Sequence, residues 1–429
     1  MTRPLWRIGV AGLGTVGGGL LKLLAERPGF APAGGKVGVA GVSARSRSRP
    51  RPVEIGAIPW FDDPVELARA PEVDIFVELI GGSDGPAKAA VEAALGAGKP
   101  VVTANKALVA EHGAELARLA ESKGVPLLFE AAVMGGAPAV KMLREAMVGD
   151  LVDAVFGILN GTCNYILSEM ELTGRPFADV LREAQRLGYA EVDPTMDIGG
   201  FDAAHKITIL AALAFGCAPT YTAAEVEGIE AIAPIDIRLA KELGYSVKLI
   251  AGAWRSPEGV SVGVRPALTP VGHPLAQTGG ALNALFIQGR SIGRIFIQGP
   301  GAGSGPTAAA VAADIADVMT GAARPVFQAP AVELEPCMPL GARRPPTRAY
   351  VRLLARDQPG VLAAITETLA EVGVSIDSFL QHPVEDAGGV PIVLTTHLAP
   401  EDRVLEAVRR MGALTVLVEP PRMIRIAPF

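Results

Sequence analysis

Residues 6–26, WRIGVAGLGTVGGGLLKLLAE, decide the fold. Residues 6–10 alternate and are β-prone, which predicts a strand. Gly12, Gly14 and Gly17 follow in G-x-G-x-x-G spacing. In that pattern the first glycine allows a tight turn, the second lets a pyrophosphate approach the backbone, and the third lets helix and strand pack closely. The apolar run after Thr15 predicts a helix whose positive N-terminus faces the phosphates. Gly12, Leu13, Gly14, Thr15, Val16 and Gly17 are therefore the expected cofactor turn. The alternative is a glycine-rich βα turn in some other doubly wound protein.

Outward from this turn, strand and helix patterns alternate. Strands are expected near 6–10, 37–42, 74–79, 100–103 and 126–130, with helices near 15–26, 63–69, 86–97 and 107–122. Such alternation predicts a doubly wound parallel sheet. Loops at strand C-termini bind ligands in such sheets. One of them follows Ile80 with Gly81, Gly82 and Ser83, and another carries Thr103, Ala104, Asn105 and Lys106. Lys106 opens a helix, where the dipole disfavours a cation, so a functional reason for it is expected. No acidic residue ends the second strand to take ribose hydroxyls. Arginines follow instead, beginning at Arg45, in a Ser/Arg/Pro run that can also be read as a solvated basic loop. Paired guanidinium donors suit a 2′-phosphate, so NADP is expected, with NAD the alternative.

The second informative stretch is residues 184–206, AQRLGYAEVDPTMDIGGFDAAHK. Glu191, Asp193, Asp197, Asp202, His205 and Lys206 crowd into it, in a chain only 20% charged. Asp202 and Lys206 are four apart at the start of an apolar helix, which places them on one face. An ordinary surface pair is the bland reading, but the residues that follow are nearly all apolar. A carboxylate beside an amine suits a small zwitterionic substrate and a proton transfer at a neighbouring carbon.

Composition sets bounds. At 429 residues the chain has room for two or three domains with sizeable cores. Net charge −6 offers no basic field for nucleic acid. Cys163, Cys217 and Cys337 are scattered and odd in number, so neither a disulfide framework nor a metal cluster is expected, and a reducing cytoplasm fits. None of the three lies in a nucleophile context. The N-terminus shows no signal-peptide pattern. The apolar stretch 207–219 is too short to cross a bilayer, so no membrane partner is expected.

From about residue 131 the character changes. FEAAVMGGAPAVK (129–141) sets Glu130 among small residues, as either a hinge or a cation loop built from one carboxylate and backbone carbonyls. Next come a strand, a tight Asn160–Gly161 turn and a helix from Thr162. Strand-like runs between 245 and 300 suggest an antiparallel or mixed sheet able to build a dimer interface, and a Gly-rich loop enters a helix near 303–320 expected to pack back near the nucleotide. The proline-rich, aperiodic segment 325–349 reads as a linker. An independent βαββαβ unit follows, its last strand expected at LTVLVEP. The expected division is a nucleotide domain at 1–133, a catalytic and dimerisation domain at 134–325, a linker at 326–347 and a small domain at 348–429.

Together these segments resemble the homoserine dehydrogenase family over the whole chain. Ala184, Gly188, Asp193, Pro194, Asp197, Gly200, Asp202 and Lys206 match its signature, and GLGTVG, TANKAL, EAAVMGGAP and NGTCNYIL resemble its other motifs. The resemblance implies NAD(P)-dependent interconversion of homoserine and aspartate 4-semialdehyde. It places Lys106 and Lys206 at the reacting centre, with Lys206 as proton donor and acceptor and Asp202 orienting a substrate amine or a water. It implies Glu191, with Asp197 as helper, at the substrate, and Gly161 and Gly303 at the cofactor. It implies a monovalent cation such as Na+ on Glu130 and the main-chain oxygens of Val133, Gly135 and Ala137. Family members that prefer NADP often carry Arg and then Lys after strand two; here the region is Arg/Ser/Pro repeats. The tail resembles an ACT domain, which implies an amino-acid effector, usually threonine, at residues 357–362. A homodimer or homotetramer is expected. The competing readings are a catalytically inactive amino-acid or nucleotide sensor and a related small-aldehyde reductase.

Overall fold

The computed structural model describes residues 5–27, 30, 35–256, 259–321, 324–337, 346–381 and 388–429. The N-terminal layer runs β1 (Leu5–Ala11), α1 (Thr15–Glu26), β2 (Lys36–Ser43), β3 (Trp60–Phe61), α2 (Pro64–Arg69), β4 (Ile75–Glu78), α3 (Pro86–Gly96), β5 (Val101–Thr103), α4 (Lys106–Ser122) and β6 (Leu127–Leu128). Its six strands lie in the order β3-β2-β1-β4-β5-β6, all parallel. The order of winding reverses between β1 and β4, and ligands bind beyond the strand C-termini at such a switch point. The short edge strand β3 escaped the sequence reading because two residues carry no periodicity.

The central elements are α5 (Ala139–Lys141), β7 (Val152–Ile158), α6 (Gly161–Thr173), α7 (Phe177–Leu187), α8 (Thr195–Ile198), α9 (Phe201–Phe215), β8 (Glu225–Val226), α10 (Pro234–Glu242), β9 (Tyr245–Ser256), β10 (Gly259–Pro270), α11 (Pro274–Gln277), β11 (Leu282–Gly289), β12 (Arg294–Pro300) and α12 (Ser304–Thr320). Asn160 is not in a tight turn. Its side chain caps α6 by accepting from the Cys163 N–H at 2.8 Å. In α9 every residue from Asp202 to Phe215 is buried. A helix apolar all round belongs inside a core, and α9 lies between β7, β9 and β10 on one side and α4 on the other. α12 returns to the nucleotide layer, packing on α1 where Gly19 leaves room: a Cβ there would lie 2.4 Å from Ser304 Oγ.

The C-terminal unit is β13 (Arg348–Ala355), α13 (Val361–Glu371), β14 (Ile376–Gln381), β15 (Val390–Thr396), α14 (Glu401–Met411) and β16 (Arg422–Ile426). Its last strand is RMIRI, not LTVLVEP. Val418 and Leu417 make only isolated backbone contacts with β13, whereas residues 422–426 pair with β13 along their length. Nor is the unit independent. β16 pairs in parallel with β10, so one ten-stranded sheet runs β12-β11-β7-β9-β10-β16-β13-β15-β14, with β8 beside β10. Asp236 of α10 is fully buried and accepts from Arg352 Nε at 2.7 Å and Tyr350 Oη at 3.2 Å across this junction. The link through the sheet was not legible because pairing between strands 160 residues apart leaves no local pattern.

The proline-rich segment is only partly a linker. Phe327 is fully buried and packs on Phe129, with ring centroids 5.6 Å apart. Glu121 accepts from the Val326 and Ala331 N–H groups. The cysteine reading is corrected here as well. Cys217 and Cys337 form a disulfide with Cα atoms 5.3 Å apart, although 120 residues separate them. The cause is this returning segment, in which the backbones of Ala218 and Glu335–Cys337 bond each other. Residues 338–345, the rest of the expected linker, lie outside the described residues.

Removing Asp236 leaves a buried guanidinium short of its main partner, a class of change that costs roughly 3–5 kcal/mol. Asp236→Ala is expected to lower the urea midpoint accordingly, and an unchanged midpoint contradicts this junction.

Candidate active site

At the nucleotide end the backbone forms an open cradle. Gly12 has φ +98°, and a Cβ there would lie 2.2 Å from the Leu79 carbonyl oxygen. A Cβ on Gly17 would lie 2.0 Å from the Gly12 carbonyl oxygen, so only glycine lets α1 begin this close to the turn. By contrast, no atom lies within 4 Å of where a Cβ on Gly14 would be. The open side at Gly14 and the α1 N-terminus fit a pyrophosphate. Glu78 is buried at the end of β4 and accepts from the Ile80 and Gly81 N–H groups and from Thr103 Oγ1. It thereby fixes the two loops that carry Ile80 and Thr103. Gly303 (φ +120°) precedes α12, whose Ser304 hydroxyl donates to the Thr15 carbonyl at 3.1 Å. Arg45 is exposed beyond β2, and its neighbours Arg47 and Arg51 stand over the Trp60 ring.

About the start of α9, four chain segments meet. Asp202 is buried, and its two oxygens hold two ammonium groups: Oδ1 accepts from Lys106 Nζ at 2.9 Å and Oδ2 from Lys206 Nζ at 2.7 Å. Lys206 also donates to the Leu159 carbonyl at 2.8 Å. An ammonium has three N–H bonds, so one remains for a third acceptor. Asn160 Nδ2 bridges Asp197 (2.7 Å) and Asp202 (3.0 Å), and Thr162 Oγ1 donates to Asp197 at 3.0 Å. Burial alone pushes the Asp202 carboxyl up. Lys206 and then Lys106 outweigh that and hold it well below the usual carboxylate range. The Asp202 charge in turn raises the Lys106 ammonium, against burial. Glu191 is exposed at the edge of this cluster, near enough for its charge to act on Lys106. Gly161 begins α6 directly behind Asn160, and a Cβ there would lie 2.7 Å from the Ala281 carbonyl oxygen.

The glycine-rich segment after β6 is buried rather than hinge-like. Residues 130–135 are all buried. The Glu130 carboxylate accepts from the Val140 and Lys141 N–H groups at 3.0 and 2.7 Å, and burial still raises it. Beside it Asp314 of α12 accepts from the Glu130 N–H, and burial pushes its carboxyl up to about 7. Lys141 Nζ lies 3.6 Å from Asp314.

A family model described as homoserine dehydrogenase matches residues 138–316, one for its NAD-binding domain matches 12–130, and an ACT model matches 349–413. The homoserine dehydrogenase of Pseudomonas aeruginosa is 41% identical, over 98% of each chain. The chain belongs to the homoserine dehydrogenase family. The same enzyme of Neisseria gonorrhoeae is also 41% identical over 98% of each chain. The crystal structure of a homoserine dehydrogenase from Thiobacillus denitrificans superposes with TM-score 0.90 at 41% identity, covering 99% of this chain and 98% of that one. A hyperthermophilic archaeal homoserine dehydrogenase in complex with NADPH covers 75% of this chain and 99% of its own, with TM-score 0.65 and 28% identity. This family carries NAD(P)-dependent oxidoreductase chemistry, and the inactive-sensor alternative is not favoured.

Several contributors had no role in the sequence reading. Asn160 links Asp197 to Asp202, Thr162 donates to Asp197, and Asn283 donates to the Leu159 carbonyl at 3.0 Å, beside Lys206. An Asn one residue before a helix is an N-cap signal, so Asn160 was detectable. Asn283 was not, since it arrives from a strand 77 residues beyond Lys206. Cys163 is buried, and burial pushes its thiol up, so it is no nucleophile. Among the described residues no helix is long and apolar enough to cross a membrane.

The depressed Asp202 carboxyl has a definite pH signature. Its ionised form stabilises the fold in full above the ordinary carboxylate value of about 4 and is lost as pH falls through the lower folded value. The stability advantage of the native chain over Asp202→Asn is expected to be constant near neutrality and to shrink below about pH 4. Denaturation midpoints across this range check it, and an advantage that grows on acidification refutes the assignment.

Proposed function

We propose that the cluster around Asp202 is where homoserine and aspartate 4-semialdehyde are interconverted, with Lys206 and Lys106 at the reacting oxygen. The single observation carrying this reading is that one buried carboxylate holds both ammonium groups within 2.9 Å. A bound nicotinamide supplies or accepts the hydride at the carbon that bears that oxygen. Lys206 has one N–H left to aim at the oxygen, stabilising its negative charge and giving or taking its proton. Lys106 has two N–H bonds not spent on Asp202, and its position after β5 fits both substrate and nicotinamide. Asp202 keeps both amines charged and fixed in direction. Glu191 and Asp197 supply negative charge for the substrate α-ammonium, which disfavours substrates that lack it.

The cofactor set is Gly12, Leu13, Gly14, Thr15, Val16, Gly17, Ile80, Thr103, Lys106, Gly161 and Gly303. Arg45 recognises a 2′-phosphate and so favours NADP over NAD. A monovalent cation such as Na+ would sit on Glu130 and the carbonyls of Val133, Gly135 and Ala137. The Glu130 carboxylate already serves two N–H groups there, so the carbonyls would carry most of the coordination. The chain acts as a soluble cytoplasmic homodimer or homotetramer built on the central sheet, in threonine, methionine and isoleucine biosynthesis. Threonine is the effector at residues 357–362.

Lys206→Ala is expected to lower turnover by roughly 10²–10⁴-fold, the range for losing a general acid or base. The readout is absorbance at 340 nm with homoserine and NADP, and near-normal turnover removes Lys206 from the chemistry. Threonine added to the full chain is expected to slow the same reaction. No response at any concentration removes it as effector.

A further inference from the structure

We infer that Asp84, Glu111 and His112 form a site for one divalent transition metal of the zinc, cobalt or nickel type. Asp84 lies in the loop after β4, and the other two lie on α4. Their ligand atoms lie within 4.8 Å of one another, so small side-chain rotations bring them to the spacing of donors about 2.0–2.2 Å from a single ion. His112 Nε2 is 3.2 Å from Asp84 Oδ1. Its other nitrogen, Nδ1, faces the Glu115 carboxylate at 3.9 Å. At that distance Glu115 adds negative charge behind the ring without a hydrogen bond to it. Glu111 has a partner of its own: His205 Nε2 lies 3.2 Å from its Oε1. The His205 ring is buried and stacked on Tyr221 with centroids 4.2 Å apart. The ring is thereby held in place beside Glu111.

Charge balance points the same way. Among the described residues no lysine or arginine pairs with Asp84 or Glu111, and the nearby Lys88 is committed to Glu92 and Glu115. Two carboxylates thus converge on imidazoles with no fixed cation between them. One imidazole with two carboxylates suits borderline metals better than Mg2+ or Ca2+, which prefer all-oxygen shells. Three protein ligands leave a position for water. The loop bearing Asp84 is anchored beside the proposed reaction centre, since Asn105 donates to the Gly82 carbonyl at 2.7 Å and Lys106 is the next residue.

The test needs no substrate, so it stands apart from the proposed reaction. Co2+ is titrated into the full-length protein, freed of metal, and its visible ligand-field absorption followed. Zn2+ uptake is counted by equilibrium dialysis. One equivalent should bind, with loss of the cobalt spectrum in His112→Ala and a weaker affinity in Asp84→Asn, since each change removes a direct ligand. Thermal melts of both variants establish that they are folded. A cobalt spectrum unchanged in His112→Ala, or no retained Zn2+ in the native chain, overturns the site.

Discussion

The Asp202 carboxylate is the constraint around which the rest is arranged. It is buried at the start of an apolar helix, where a bare charge is costly. Two ammonium groups and the Asn160 amide compensate it. Those partners come from different layers: Lys106 from the nucleotide sheet, Lys206 from the same helix and Asn160 from the end of a central strand. The ion pair that neutralises Asp202 is thus also a tie between domains. Removing any member leaves another buried and short of a partner, which is why the geometry at this point has little freedom.

The same economy recurs at the domain junctions. Glu78 holds the loops after β4 and β5 with one carboxylate. Glu121 fastens the returning segment by accepting two N–H groups. Asp236 joins α10 to the first strand of the ACT domain. In each case a buried or half-buried acid satisfies donors from a distant segment, and a polar group without such partners would destabilise the core. Because β16 pairs directly with β10, a shift in the ACT unit has a mechanical route into the sheet on which α9 rests.

Much of the site was readable one segment at a time. The glycine spacing after β1, the Asp202–Lys206 interval and the strand-end position of Lys106 are local patterns; in the structure the glycines form the β1–α1 turn and both lysines reach Asp202. Three of the readings that needed correction were non-local. The Cys217–Cys337 disulfide, the buried Phe327 in a proline-rich stretch and the shared sheet each depend on a segment returning from more than a hundred residues away. The misplaced last strand has a different cause: LTVLVEP has the better β-composition, but RMIRI has a free edge of β13 to pair with, and pairing decides.

From its residues alone the chain determined an alternating βα nucleotide layer, a glycine turn shaped for a pyrophosphate, and a helix with acid and amine on one face. These follow from periodicity and backbone sterics, which act over a few residues. Tertiary structure alone decided that Lys106 and Lys206 share one carboxylate, that Asn160 and Asn283 complete their surroundings, and that the ACT strands extend the catalytic sheet. Those outcomes depend on which distant groups can satisfy a buried charge or an open strand edge, and only the folded chain brings them within reach.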